Sequence, residues 1–216
     1  MKIALLLIAS YLVGSIPFGV IVGRAWRGVD VRKYGSGNIG FANALRVLGP
    51  GPAAVVLLGD ALKGYLPVTA GRYLLARLAL SATEGSLAPA TPYTDLWLLA
   101  VALMPILGHS FSIFLKLRGG RAVATTAGAL LAMCWPAALV AILVWLSVVA
   151  ATRYISLGSI AAAAAVPIYL ALSSVRPQWT LFWTAVGALV ILRHLPNIKR
   201  LLAGTEAKLG QKTQLP

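Results

Sequence analysis

One short segment, residues 34–46, places glycines, a hydroxyl and two amides next to an arginine. Gly35 and Gly37 leave the backbone free to point successive N–H groups at one place, which favours binding of an anion. The polar side chains of the segment are Ser36, Asn38, Asn43 and Arg46. A guanidinium can bind two oxygens of a phosphate group at once. We interpret the segment as a phosphate-binding site; the alternative is a flexible loop that only joins two helices.

A second segment places two arginines around a pair of glycines, directly before an apolar run. Its candidate residues are His109, Arg118, Gly119, Gly120, Arg121 and Thr125. Guanidinium groups and the positive end of the helix that follows both attract phosphate. The alternative is an ordinary basic loop at a membrane surface, but such a loop needs neither the glycine pair nor a threonine one turn into the helix. This segment is therefore also predicted to bind phosphate.

Two charged residues, Asp60 and Lys63, interrupt an otherwise apolar run. A charge at the centre of a bilayer costs about 2.5–3.5 kcal/mol, so the pair needs a reason to be there. The three-residue spacing puts both side chains on one face of a helix, where they can pair. Two interpretations stay open. The pair holds helices together, or Lys63 contacts a substrate directly.

His194 and Asn197 stand where the last apolar run passes into a basic tail. A histidine at a membrane surface with basic neighbours commonly contacts lipid headgroups. The other interpretation is that His194 is a catalytic residue.

The amino-acid composition indicates whether the segments that carry these residues lie in water or in a membrane. Of the 216 residues, 59% are hydrophobic and 11% are charged, whereas a soluble domain has about a quarter charged residues. The chain is therefore predicted to lie in a membrane. Its net charge of +14 would suggest nucleic acid in a soluble protein, but basic cytoplasmic loops are expected in a membrane protein, and no nucleic-acid partner is predicted. No metal site is predicted either, because no cluster of acidic residues and histidines is visible.

The apolar runs also predict the topology. They lie near 3–23, 53–70, 97–115, 122–151, 157–173 and 179–192. Basic residues gather in the loops 24–50 and 116–121 and in the tail after residue 192, which the positive-inside rule places in the cytoplasm. These segments share one face only if the 122–151 run turns back near Cys134-Trp135-Pro136, where proline interrupts helical hydrogen bonding. We predict an all-α integral membrane protein, one domain over residues 1–216, with about seven transmembrane helices, its N-terminus outside and its C-terminus cytoplasmic.

In this order, the segments resemble the bacterial acyl-phosphate-dependent glycerol-3-phosphate acyltransferases, the PlsY family. The resemblance runs from Ser15-Ile16-Pro17-Phe18-Gly19 to Gly210 and also includes Gly35-Ser36-Gly37-Asn38, Asn43, Arg46, Asp60, Lys63-Gly64, Gly108-His109, Phe111, Arg193-His194, Asn197 and Arg200. It implies a seven-helix fold and transfer of a fatty acyl group from acyl phosphate to the 1-hydroxyl of glycerol 3-phosphate. The products would be lysophosphatidic acid and phosphate. The implied partners are these substrates and membrane lipid, with no cofactor and no obligate protein partner.

The resemblance also implies roles and a location. Ser36 and Arg121 would hold one phosphate, Arg46 and Lys63 would assist, and His194 with Asn197 would orient the glycerol phosphate. Either a substrate phosphate or His194 would take the hydroxyl proton. The implied site faces the cytoplasm at the bacterial inner membrane. Four positions depart from the family pattern: Ala42 replaces a threonine, Arg118 and Arg121 replace lysines, and Ala122 replaces a glycine.

Two functions of other classes compete with this interpretation. A carrier for a phosphorylated anion would also use broken helices and helix N-termini. The chain shows no inverted repeat, however, and its polar segments gather on one face. A scaffold that binds anionic lipid through its basic tail would explain the tail, but it would give no reason for the two glycine-rich segments.

Overall fold

The structure is a computed structural model that describes residues 2–82, 92–173, 176–211 and 213. Within those ranges every regular element is helical. The α-helices are α1 (Lys2–Ser15), α2 (Phe18–Arg27), α3 (Phe41–Leu48), α4 (Pro50–Ala82), α5 (Pro92–Ser110), α6 (Val123–Met133), α7 (Trp135–Thr152), α8 (Ile155–Leu172), α9 (Pro177–Arg193) and α10 (Leu195–Leu202). Short 3-10 turns cover Val31–Lys33 and Ile113–Leu115.

The helices confirm a multi-pass membrane protein. Among the described residues, five helical segments are long and apolar enough to cross a membrane. Helices α9 and α10, bent by 57°, are long enough only when taken together, so the spans number five or six. Helix α6 is apolar but has only 11 residues. The predicted break inside the 122–151 run is present, because α6 ends at Met133 and α7 begins at Trp135. Seven crossings and the outside position of the N-terminus stay predictions.

The first apolar run is one candidate span, over Lys2–Arg27, with a break inside it, because α1 ends at Ser15 and α2 begins at Phe18. Pro17 lacks the N–H that would continue the ladder and disfavours helical geometry at Ile16. The predicted loop 24–50 also contains a helix, since the second half of its glycine-rich segment forms α3. Residues 83–91, between α4 and α5, lie outside the described residues.

Glycines allow the central helices to approach closely. A Cβ on Gly64 of α4 would overlap the Thr125 carbonyl of α6, and a Cβ on Gly128 of α6 would overlap the Ala61 carbonyl of α4. Small residues at a crossing of membrane helices let the backbones touch. This crossing fixes α6, and therefore the loop before it, against α4.

The three basic segments meet at one end of the bundle, as expected if they share one face of the membrane. Arg193 at the end of α9 donates to the carbonyls of Gly119 and Gly120 in the loop before α6. Arg46 of α3 donates to the carbonyl of Ala207 in the tail, 3.0 Å away. The glycine-rich segments and the basic tail therefore form a single surface.

Candidate active site

Asn43 holds the first glycine-rich loop in shape. Its side chain is buried, and its Oδ1 accepts the N–H of Ser36 at 2.8 Å. Its Nδ2 donates to the carbonyls of Val31 at 2.9 Å and Asn38 at 2.8 Å. Asn43 was predicted to bind the substrate, and these three bonds support a role in positioning the loop.

The backbone of this loop requires glycine at two points. Gly35 has a φ of 58° and Gly37 a φ of 70°, both in the left-handed region. Side chains other than glycine are disfavoured there because their Cβ approaches the following carbonyl. The resulting turn presents Ser36, Gly37 and Asn38 to one pocket.

Arg193 fixes the second glycine-rich loop. Its guanidinium donates to the carbonyls of Gly120 at 3.0 Å, Gly119 at 3.1 Å and Ser110 at 3.2 Å. The same group stacks over the ring of Phe111, 5.3 Å from its centroid. Because these contacts occupy the guanidinium with backbone, Arg193 shapes the loop that carries Arg121.

Two cavities meet at this surface. A polar pocket of about 420 Å³ is lined by Ser36, Gly37, Asn38, Gly119, Gly120, Arg121, Leu192, Arg193, Leu195 and Pro196. An apolar cavity of about 510 Å³ extends between α4, α6, α7, α8 and α9. Its polar lining consists of Asn38, Arg46, Asp60, His109, Arg121, Thr126, Ser156, Ser159, His194 and Glu206. Asn38 and Arg121 line both cavities.

Arg121 is a cation without a direct partner. No hydrogen bond or ion pair joins its guanidinium to another residue in the described ranges. Burial, reinforced by the positive charge of Arg200, lowers the pKa of Arg121 to about 10. The group therefore stays charged at neutral pH. An unpaired, partly buried cation between a polar pocket and an apolar cavity suits an anionic headgroup that carries an apolar chain.

Glu206 ties the basic tail to the helices around the site. Its carboxylate accepts hydrogen bonds from Ser156 at 2.8 Å, Asn197 at 2.7 Å and Arg200 at 2.7 Å. Burial raises the pKa of Glu206, but these hydrogen bonds outweigh it and bring the pKa below its usual value. In the sequence, Glu206 stands out only as an acid within a basic segment.

The Asp60–Lys63 pair is present as the spacing predicts. Lys63 Nζ lies 2.7 Å from Asp60 Oδ1 and donates to the Ile16 carbonyl at 2.8 Å. Both residues are buried, and Asp60 lines the apolar cavity while Lys63 lines neither cavity. The pair lies within α4, and its hydrogen bond to Ile16 ties α4 to the break between α1 and α2. These contacts favour a pair that holds helices together over a direct substrate contact by Lys63.

His194 lies at the bend between α9 and α10 and lines the apolar cavity. Its Nδ1 is 2.8 Å from the Val190 carbonyl. A carbonyl can only accept, so Nδ1 carries the proton and Nε2 is left as an acceptor.

The structure brings most of the predicted site residues to the two cavities. Those that line a cavity are Ser36, Gly37, Asn38, Arg46, His109, Gly119, Gly120, Arg121 and His194. Those that do not are Gly35, Asn43, Lys63, Arg118, Thr125 and Asn197. The second group supports the first, except for Arg118, which is exposed to solvent. The sequence did not single out Asp60, Arg193 or Glu206 as lining residues.

The fold and the site define a multi-pass helical membrane protein with an anion pocket that opens on an apolar cavity. Residues 4–204 match the family model described as glycerol-3-phosphate acyltransferase. Glycerol-3-phosphate acyltransferase 2 of Moorella thermoacetica is 50% identical, over 97% of this chain and 98% of the relative. A glycerol-3-phosphate acyltransferase of Synechococcus sp. (strain JA-2-3B'a(2-13)) is 45% identical, over 98% of each chain.

Solved structures agree with these relatives. The crystal structure of PlsY (YgiH), an integral membrane glycerol 3-phosphate acyltransferase, in its glycerol 3-phosphate form is 34% identical with a TM-score of 0.82, over 97% of this chain and 96% of that one. Its lysophosphatidic acid form is 33% identical with a TM-score of 0.80, over 98% and 97% of the two chains. The chain belongs to the glycerol-3-phosphate acyltransferase family and is an acyltransferase.

Proposed function

We propose that this enzyme transfers a fatty acyl group from acyl phosphate to the 1-hydroxyl of glycerol 3-phosphate. The products are lysophosphatidic acid and inorganic phosphate, so the reaction is the first acylation step of phospholipid synthesis. The observation that carries the proposal is Arg121, an unpaired cation that lines both the polar pocket and the apolar cavity. The structural relatives captured with glycerol 3-phosphate and with lysophosphatidic acid support the acceptor and the product.

The two cavities match the two parts of the donor. An acyl phosphate has a doubly anionic head and a long apolar chain. The head fits beside Arg121, Ser36 and the N–H groups of the Gly35–Asn38 loop, and the chain fits the cavity between α6, α7 and α8. Arg46 is half-buried in the same lining and adds a second guanidinium. Burial lowers the pKa of Arg46, the charge of Glu206 opposes this change, and the charge of Arg200 adds to it.

The chemistry asks mainly for positioning and charge neutralisation. Acyl phosphate is a mixed anhydride with a good leaving group, so no cofactor is needed. Fixing two reactants in a productive orientation is worth roughly 7–11 kcal/mol of the barrier. One preorganised donor at the developing charge is worth about 2.7–4 kcal/mol. Arg121 and Ser36 are the donors assigned to the phosphate, and His194 orients the glycerol phosphate.

The proposed location is the inner membrane of a bacterium, with the site on the cytoplasmic side. The three basic segments that form the site are those that the positive-inside rule places in the cytoplasm. Glycerol 3-phosphate then enters the polar pocket from water, while the acyl chain enters and leaves through lipid.

Donor specificity tests the proposal. The purified chain in detergent is supplied with glycerol 3-phosphate and either palmitoyl phosphate or palmitoyl-CoA, and lysophosphatidic acid is measured. Turnover with palmitoyl phosphate, at a rate at least a hundredfold above that with palmitoyl-CoA, is expected. Turnover with palmitoyl-CoA alone would overturn the choice of donor, and no turnover with either donor would overturn the reaction.

A further inference from the structure

The apolar cavity follows one face of α8 from the site into the bundle. Its lining residues on α8 recur every three or four positions, from Ser156 and Ser159 to Ala162 and Val166, which is the spacing of one helix face. At about 1.5 Å per residue, the ten positions from Ser156 to Val166 span about 15 Å. The hydrocarbon core of a bilayer is about 30 Å thick, so one leaflet is about 15 Å. The cavity is therefore about as long as the acyl chain of an ordinary membrane lipid.

The cavity ends on three helices at one core cluster. Helices α6 and α8 begin beside the site, so their last lining residues, Leu130 and Val166, lie furthest from Arg121. Helix α7 ends beside the site, so its first lining residue, Ala141, lies furthest away. Leu130 and Val166 are buried members of the cluster, and Ala141 packs against it. These three residues form the floor of the cavity.

The next turn of each helix is filled by packed side chains. One turn further from Arg121 lie Met133 on α6, Ala137 and Ala138 on α7, and Leu170 on α8. All four are buried in the same cluster, and none of them lines the cavity. A close-packed interior does not open for extra methylene groups without strain. An acyl chain that reaches the floor therefore cannot extend further along the helices.

One wall of the cavity faces the lipid. Ile142 and Leu146 of α7 line the cavity, yet 45% of Ile142 and 51% of Leu146 are exposed. A chain that is too long for the cavity has to bend past these residues into the membrane. Its end then loses the packing contacts that a chain of matching length makes with the floor. The floor therefore disfavours long chains without excluding them.

We propose that Leu130, Ala141 and Val166 select the length of the donor's acyl chain, with palmitoyl as the preferred length. A shorter chain leaves a void above the floor, and the residues around that void lose their contacts. A longer chain bends out into lipid. The inference rests on the proposed function, because it places the head of the acyl phosphate beside Arg121.

Two substitutions change the length of the cavity in opposite directions. Leu130→Ala removes most of one floor side chain and lengthens the cavity. Ala162→Leu adds a larger side chain one turn above Val166, about 6 Å nearer to the site, and shortens it. Val68→Ala is the matched control, because Val68 is buried in the same cluster and lines neither cavity.

A competition between donors measures the selection. Each enzyme in detergent receives glycerol 3-phosphate and an equimolar mixture of lauroyl, palmitoyl and arachidoyl phosphate. The lysophosphatidic acids formed at low conversion are quantified by mass spectrometry, and melting temperatures are recorded alongside. Competing donors are discriminated by the ratio of their kcat/KM values. A variant that is partly unfolded therefore still reports a valid product ratio.

We expect wild type to favour palmitoyl phosphate over both other donors. Leu130→Ala should raise the arachidoyl-to-palmitoyl ratio, and Ala162→Leu should raise the lauroyl-to-palmitoyl ratio. Each rise should be about tenfold, the lower end of the 10–200-fold effect of one methylene group in an apolar pocket, because one wall is open. Val68→Ala should keep the wild-type ratios.

Two results would overturn the inference. One is a product ratio that stays within about twofold of wild type in either cavity variant, which is well below the effect of one methylene group in an apolar pocket. The other is a shift in Val68→Ala as large as that in Leu130→Ala. If wild type forms no product from any of the three donors, the proposed function fails and the inference falls with it.

Discussion

Asn38 and Arg121 each line both the polar pocket and the apolar cavity, so these two residues mark where the two spaces meet. They come from different glycine-rich loops, one before α3 and the other before α6. Asn43 holds the first loop and Arg193 holds the second. The meeting point therefore depends on two side chains whose polar groups bond to the backbone of the loops.

Asn43→Asp tests the support of the first loop. The variant keeps an acceptor for the Ser36 N–H but places an oxygen against the carbonyls of Val31 and Asn38, where Nδ2 now donates. Each lost buried bond costs about 1–3 kcal/mol. We expect a lower melting temperature in detergent and a loss of turnover. A variant with unchanged melting temperature and activity would show that these bonds do not hold the loop.

Lys63→Met tests the interpretation of the buried pair. Removing one partner of a buried ion pair costs about 3–5 kcal/mol because the other charge stays uncompensated. We expect a large drop in melting temperature for Lys63→Met and a partial recovery in the double variant Asp60→Asn/Lys63→Met. A single variant that melts like wild type but has a raised KM for glycerol 3-phosphate would favour the substrate contact instead.

Glu206→Gln has a predicted pH signature. The folded-state pKa of Glu206 lies below the usual 4.5, so its ionised form stabilises the protein above that pH. This contribution is lost as the pH falls through the folded-state value. We expect Glu206→Gln to lose about 1–3 kcal/mol at neutral pH. The gap in melting temperature from wild type should narrow below about pH 4. A gap that is constant from pH 7 to pH 3 would contradict the assignment.

Much of the site could be predicted from the sequence, because its residues lie in short local patterns. Gly35 to Asn38 and Gly119 to Arg121 are loops whose chemistry is visible in consecutive residues. The break before Trp135 was predicted because Pro136 interrupts helical hydrogen bonding and because the basic segments then share one face of the membrane. These features depend on neighbours in the chain, and the structure has them where the sequence predicts them.

The supporting contacts could not be predicted, because they join distant residues. Arg193 contacts Gly120 across 73 positions, and Arg46 contacts Ala207 across 161. A basic residue at a membrane surface has many possible partners, and the sequence does not select one. For the same reason, the proximity of Asp60 to His109 could not be predicted, since the two residues lie on different helices. Helix α3 was missed because its eight residues follow a glycine-rich stretch that resembles a loop.

The most direct test of the account is the turnover of three variants with palmitoyl phosphate and glycerol 3-phosphate. Arg121→Ala removes the unpaired cation, Arg121→Lys keeps its charge, and Lys199→Ala removes an exposed cation from the nearby basic tail. Losing one preorganised donor is expected to lower kcat about 10²–10³-fold in Arg121→Ala. Arg121→Lys should stay within about tenfold of wild type, because lysine keeps the positive charge and loses only the bidentate geometry of the guanidinium. Lys199→Ala should match wild type. A folded Arg121→Ala enzyme with wild-type turnover would contradict the central role of this residue.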